Sequence, residues 1–213
     1  MGIGGFGGTF DPIHRGHLEL AQVALIELSL DRIIFIPASQ PWLKEGQPLT
    51  PACHRLAMVR LAVEETPAFS VSAMEIDRPG PTYSVDTLEA LRQEVGEDED
   101  LFLILGSDVL EQFHRWKDPE RILELCRLAV ANRAGADGSQ ISRFLDRFPN
   151  AAGKVVILDA NLPEISSTGL RDAMAGGKPA GSMIPERVVS YIQQYGLYAW
   201  KNKMNSEDRL GHA

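Results

Sequence analysis

Two histidines three residues apart, His14 and His17, follow a glycine-rich run and precede an apolar stretch. The run reads Gly7-Gly8-Thr9-Phe10-Asp11-Pro12-Ile13-His14-Arg15-Gly16-His17, and an apolar helical pattern from Leu18 to Leu30 follows at once. That order describes a strand, a glycine turn and a helix start, with imidazoles and free backbone N–H groups facing one spot. A helix N-terminus attracts anions through its unpaired N–H groups and its dipole. Two imidazoles there make a polyphosphate the natural guest. Phosphoryl transfer asks for positioning and charge stabilisation more than for covalent help, and these groups supply charge stabilisation. A second run, Ile165-Ser166-Ser167-Thr168-Gly169-Leu170-Arg171, places Ser166 or Ser167 at the cap of a short helix ending near Gly176-Gly177. Read functionally, Ser167, Thr168 and their N–H groups hold a second phosphate, with Arg171 as a clamp one turn on. Read blandly, the serines are only a cap.

Two commoner phosphate-binding patterns are excluded. Gly2-Ile3-Gly4-Gly5-Phe6-Gly7 matches the dinucleotide fingerprint G-x-G-x-x-G. That fingerprint must follow a strand and open into a helix. Here it starts at residue 2 and runs into Thr9-Phe10-Asp11-Pro12, so residues 2 to 6 read as the first strand and a hydride-transferring dehydrogenase is rejected. No G-x-x-x-x-G-K-[ST] loop occurs, which removes the P-loop mechanism.

The elements that must position these groups alternate. Strands are expected at Ile3–Phe6, Arg32–Ile36, Phe69–Ala73, Leu101–Leu105, Leu128–Ala131 and Lys154–Leu158. Helices are expected at His17–Leu28, Ala52–Glu65, Ser84–Glu94, Pro119–Leu125, Gln140–Arg147, Thr168–Ala175 and Pro185–Gln194. Continuous apolar strands and strand–helix alternation imply a parallel sheet, buried on both faces, with right-handed crossovers. Ligands of such sheets sit beyond the carboxyl ends of the strands, where the Gly7–His17 turn lies. The fold class is α/β: one domain over residues 1–200, with a small helical extension at about 166–200 and a polar, frayed tail at 201–213. Pro37–Pro51 is long enough to be a flap, and Ala134–Ser139 reads as an exposed loop.

Composition narrows the partners. The chain has 213 residues, 44% hydrophobic and 23% charged, as expected of one globular domain. Its net charge is −8, and no Lys/Arg block appears, which argues against a nucleic-acid polymer. Cys53 and Cys126 lack metal-like pairing, lie in helical apolar patterns, and read as buried thiols of a cytoplasmic protein. The absence of a leader-like start or a long apolar run argues against secretion and membrane spanning. Oligomeric state is left open, a homo-oligomer included.

The strings together resemble a known family. The N-terminal run has the (H/T)-x-G-H pattern of the nucleotidyltransferase superfamily, and Ser-Ser-Thr-x-x-Arg resembles its second phosphate motif. The first run is similar to that of bacterial nicotinate-mononucleotide adenylyltransferases. So are Gly80-Pro81-Thr82-Tyr83-Ser84-Val85-Asp86-Thr87-Leu88, Gly106-Ser107-Asp108, Trp116 and Tyr195-Gly196-Leu197-Tyr198. The resemblance spans residues 3 to 198 and implies a Rossmann-like nucleotidyltransferase fold. It also implies transfer of AMP from ATP, with Mg²⁺, to nicotinate mononucleotide, giving nicotinate adenine dinucleotide and pyrophosphate. By matching position, His14, His17 and Arg171 would be catalytic. Gly7, Gly8, Thr9, Phe10, Gly16, Ser167 and Thr168 would join them around ATP. Tyr83, Ser84, Thr87, Gly106, Asp108 and Trp116 would serve the mononucleotide, with Asp108 near the ribose and Trp116 stacked on the pyridine.

Blander readings stand beside these. Tyr83 packs before its helix with Ser84 as cap, Asp108 caps Val109–Phe113, and Trp116, amid charges, marks an exposed ligand or partner surface. The chain departs from the family pattern at Pro41-Trp42-Leu43-Lys44, where a histidine is lost but Lys44 is kept, either as a mononucleotide-side phosphate contact or as a solvated loop lysine. It departs again at Ala134, beside the matched mononucleotide-side Arg133. Gly4 and Gly5 replace bulkier residues and are expected to loosen the first strand. The alternatives are a sister enzyme using nicotinamide mononucleotide and a non-catalytic nucleotide-binding protein.

Overall fold

In the computed structural model, residues 2–42, 46–96, 98–131, 139–160 and 162–198 are described. Six strands, β1 (Gly2–Gly8), β2 (Arg32–Pro37), β3 (Phe69–Val71), β4 (Asp100–Gly106), β5 (Arg127–Ala131) and β6 (Val155–Leu158), form one sheet in the order β3-β2-β1-β4-β5-β6. Every pairing is parallel. The chain winds outward from β1 to β3, then returns to the other side of β1 with β4. The crevice between the carboxyl ends of β1 and β4 is therefore the switch point where such sheets take ligands.

Residue alternation fixes which helices cover which face. Ile33 and Phe35 of β2 point into one core, with α1 (Arg15–Glu27), α2 (Ala52–Val63), α7 (Ser167–Ala175) and α8 (Glu186–Gln194). Ile34 and Ile36 point into the other, with α3 (Ser84–Val95), α5 (Pro119–Leu125) and α6 (Ser139–Arg147). A four-residue helix, α4 (Ser107–Leu110), follows β4 without a break. Helix α3 shows the logic: Val85, Leu88 and Leu91, three apart, are buried, and Gly96 ends it at φ 93°. No helix among the described residues is long and apolar enough to cross a membrane.

All six expected strands and seven expected helices are present, with shifted ends. Helix α1 begins at Arg15, two residues early, and α2 and β3 each end two residues early. Three expectations need correction. Strand β1 is packed rather than loose: a Cβ on Gly4 would lie 2.6 Å from Ile33 Cδ1 and 2.9 Å from Ile104 Cδ1, so the neighbouring strands already fill its place. Cys53 is exposed, because the buried stripe of α2 runs through Arg55, Met58, Val59 and Val63 and leaves position 53 outside. Cys126 is buried as expected, and desolvation pushes its thiol pKa up to about 12. The expected 201–213 tail lies outside the described residues, as does 134–138 of the Ala134–Ser139 loop. Ser139 itself opens α6.

Candidate active site

The turn leaving β1 is held by packing before any ligand arrives. Gly7 is exposed, with nothing within 4 Å of where a Cβ would be. Gly8 lies beneath the ring of Phe10, 2.9 Å from the place of its missing Cβ. Phe10 itself takes a left-handed backbone, φ 48°, that favours glycine. Its ring is fully buried against Phe6, Phe35 and His17. The peptide bond Asp11–Pro12 is cis.

The two histidines then form one unit at the start of α1. His14 is the residue before the first turn, and its backbone N–H donates to His17 Nδ1 at 3.2 Å. That acceptance places the proton of a neutral His17 on Nε2, leaving one N–H donor on the ring's far side. The rings stack at 3.7 Å with 23° between planes. Gly16 permits this, since a Cβ there would sit 3.2 Å from His14 Nδ1. His14 is 5% exposed, and burial lowers its pKa from 6.5 to about 4. Its Nδ1 has no hydrogen-bond partner among the described residues. The resting pair therefore holds a neutral His14 at neutral pH.

Helix α7 is bolted to the same turn. Ser166 caps it, accepting from the Gly169 N–H at 3.1 Å. Ser167 Oγ donates to the Pro12 carbonyl at 3.0 Å. Arg171 Nη1 donates to the Asp11 carbonyl at 2.7 Å, and Nη2 to Thr168 Oγ1 at 3.2 Å. The two phosphate motifs, about 155 positions apart in the chain, thus converge in one constellation. The first-turn N–H groups of α7 have no helical acceptors of their own.

Beneath this lies a buried layer that sequence reading missed. Arg55, 1% exposed, donates to three carbonyls: Nε to Thr50 at 2.8 Å, Nη1 to Thr9 at 2.8 Å and Nη2 to Ser39 at 3.0 Å. It ties the β1 turn to the segment after β2. Burial pulls its pKa below the usual arginine value, opposed by Asp11 and weaker neighbours. Asp11, 2% exposed, accepts from the Tyr198 hydroxyl at 2.8 Å and from the Thr50 N–H at 3.2 Å. An arginine on an apolar helix face gives no signal of burial in sequence. The signals that existed were Asp11 inside the first run and Tyr198 inside the last.

The side expected to take the mononucleotide is more open. Tyr83 precedes α3, Ser84 is its first residue, and Lys117 Nζ lies 4.8 Å over the Tyr83 ring while pairing with Asp86 at 2.8 Å. Trp42 faces Tyr83 at 6.3 Å. A cavity of about 400 Å³ between these segments is lined by Ser39, Trp42, Thr50, Arg55, Pro81 and Tyr83, and it does not include the histidines. Thr87 is buried, and its hydroxyl donates to the buried Glu75 carboxyl at 2.7 Å. Burial raises the Glu75 pKa, against hydrogen bonds from Thr87 and Thr82. Asp108 is exposed in the first turn of α4, whose cap is Gly106, so the expectation that Asp108 caps the helix is corrected. Its carboxylate lies over Gly106, 2.6 Å from where a Cβ would be. Trp116 is half-buried, not exposed, and lies against Phe113 at 5.2 Å. Its Nε1 is buried without a partner among the described residues. Lys44 and Arg133 lie outside the described residues.

The chain is similar to known proteins over most of its length. The cytidylyltransferase-like family pattern matches residues 5–173. A protein of Roseiflexus sp. (strain RS-1), named probable nicotinate-nucleotide adenylyltransferase, is 44% identical over 196 residues, 92% of this chain and 97% of its own. The chain belongs to the cytidylyltransferase-like family. A second relative of the same name, from Thermomicrobium roseum, is 42% identical, covering 92% of this chain and 91% of its own. The solved structure of Plasmodium falciparum nicotinic acid mononucleotide adenylyltransferase complexed with NaAD has a TM-score of 0.75 at 19% identity. It covers 93% of this chain and 97% of that one, a likeness of fold.

Proposed function

We propose that this enzyme transfers AMP from ATP to nicotinate mononucleotide, forming nicotinate adenine dinucleotide and pyrophosphate in NAD biosynthesis. The observation that carries the chemistry is the stacked His14–His17 pair, joined through the Asp11–Pro12 turn to Arg171 and the start of α7. The names of the relatives support the choice of substrate.

A 5′-phosphate oxygen of the mononucleotide attacks the α-phosphorus of ATP. The bond from that phosphorus to the oxygen bridging to the β-phosphate breaks, and pyrophosphate departs with the electron pair. Negative charge grows on the leaving oxygens. The His17 Nε2–H, the Ser167 and Thr168 N–H groups at the start of α7 and the Arg171 guanidinium are preorganised donors for that charge. No residue needs to bond covalently to phosphorus. Mg²⁺ arrives as the Mg·ATP substrate, held on triphosphate oxygens and water.

Acid and amide pyridines differ in hydrogen bonding: a carboxylate only accepts, while a carboxamide also donates. Backbone N–H groups at the start of α3 reward the acceptor and leave an amide NH₂ facing donors. Steady-state pyrophosphate release at saturating Mg·ATP should show kcat/KM for nicotinate mononucleotide at least roughly 10²-fold above the nicotinamide form. Equal efficiencies would mean a dual-specificity enzyme. No release with any mononucleotide would mean a nucleotide-binding protein without this chemistry.

A further inference from the structure

Arg171 can serve a triphosphate only while its charge is not already neutralised. It bonds the carbonyl of Asp11, whose own carboxylate hangs from the same residue. Arginine and carboxylate form strong, often bidentate pairs when both are available. Yet Arg171 is bonded only to that carbonyl and to the Thr168 hydroxyl, with no carboxylate partner among the described residues. The carboxylate is held elsewhere, one oxygen by Tyr198 and the other by the Thr50 N–H.

We propose that Tyr198 is a positioning residue for ATP: by holding the Asp11 carboxylate, its hydroxyl keeps Arg171 uncompensated and available to phosphate. Tyr198 is suited to hold one position. It is 5% exposed, its hydroxyl also touches Met58 Sδ at 3.9 Å, and its backbone takes φ 65°, a left-handed conformation unusual for a tyrosine. Burial, then the Asp11 charge and hydrogen bond, push its pKa far above the usual tyrosine value. It therefore remains a donor throughout the working pH range. The neighbouring Arg55 is turned to other acceptors, its Nε, Nη1 and Nη2 each donating to a backbone carbonyl.

The inference rests on the ATP half of the reading above, and Mg·ATP affinity without mononucleotide tests it separately. Tyr198→Phe keeps the ring and removes the donor. Calorimetric titration should show Mg·ATP binding about tenfold weaker, the scale of one charge-assisted hydrogen bond. Adding Asp11→Asn to Tyr198→Phe removes the competing charge and should restore most of that loss. If the hydroxyl only held the turn together, the double variant would bind Mg·ATP no better than Tyr198→Phe alone. Tyr198→Leu serves as a second hydroxyl-free variant, with thermal unfolding confirming that each is folded. Unchanged affinity in Tyr198→Phe, no recovery in the double variant, or failure of both hydroxyl-free variants to fold would overturn the proposal. Recovery in a protein that turns over no mononucleotide would keep it and sink the transferase reading instead.

Discussion

The two halves of the site are built differently. The phosphate half is a knot: Arg55, Asp11, Tyr198, Ser167 and Arg171 join the β1 turn to α2, α7 and the segment after α8 by hydrogen bonds of 2.7–3.2 Å, most of them to backbone carbonyls. The mononucleotide half is a rim: Trp42, Tyr83 and Lys117 meet through ring contacts and a partly exposed ion pair. The difference matches the demands on each half. Donors aimed at developing charge must be fixed beforehand, because reorganising them would consume the stabilisation they provide. A planar base needs only a face to lie on, and aromatic side chains tolerate small shifts. Loss of one group in the knot should therefore appear in kcat, in Mg·ATP affinity or in global stability, whereas loss in the rim should appear in the mononucleotide KM alone.

The largest expected effect is at His17. Replacing it with alanine removes the Nε2–H donor and should lower kcat by roughly 10²–10³-fold, the scale for one preorganised donor. Mg·ATP affinity should fall far less. Near-normal turnover would remove chemistry from the knot.

Next is the buried imidazole. His14 has a lowered pKa in the folded protein, about 4 against 6.5, so the unfolded chain binds the extra proton first as pH falls. Its contribution to stability is complete above pH 6.5 and is lost as pH drops toward 4. The loss is at most about 3 kcal/mol. Urea unfolding at pH 7.5, 5.5 and 4 measures it against His14→Gln, which should lack this part of the slope. Equal slopes would mean the knot does not hold His14 neutral.

Trp116 tests the rim. Trp116→Ala should raise the mononucleotide KM about 5- to 100-fold, the range for one stacked base, and leave ATP parameters unchanged. The structure sharpens this, since the indole also packs on Phe113. A drop in melting temperature without a KM change would make Trp116 a packing residue. The smallest effect belongs to Lys117. Exposed ion pairs contribute little to stability, so Lys117→Ala should leave the melting temperature unchanged, and any consequence should be confined to the mononucleotide KM.

The sequence was legible where local pattern and global fold agree. β2, Arg-Ile-Ile-Phe-Ile-Pro, is a continuous apolar run and is buried on both faces; α5 begins and ends where Pro119 and Leu125 predicted. The histidines and Ser-Ser-Thr-x-x-Arg stood out because their residue types are costly to place together without use. The knot beneath them did not. Arg55 sits where periodicity wants an apolar residue, and its meaning comes from three carbonyls on segments distant in sequence. Thr87 was placed beside the mononucleotide by the family match alone, and only Glu75, 12 positions earlier, reveals that its hydroxyl is already bonded. Gly4 read as a weakness because one strand alone cannot show that Ile33 and Ile104 fill the space.

The Tyr198–Asp11 bond joins residues 187 positions apart, and the Arg171 contact to the same turn spans 160. During synthesis His14 and His17 leave the ribosome well before Arg171 and Tyr198, with the glycine turn but without the partners that lock it. The turn must wait in a half-formed sheet until Tyr198 has emerged. Closing such long loops is slow, because their entropy is lost before the contacts repay it. ATP-binding competence should therefore appear on nascent chains late and abruptly, when Tyr198 clears the exit tunnel, rather than growing with each strand added.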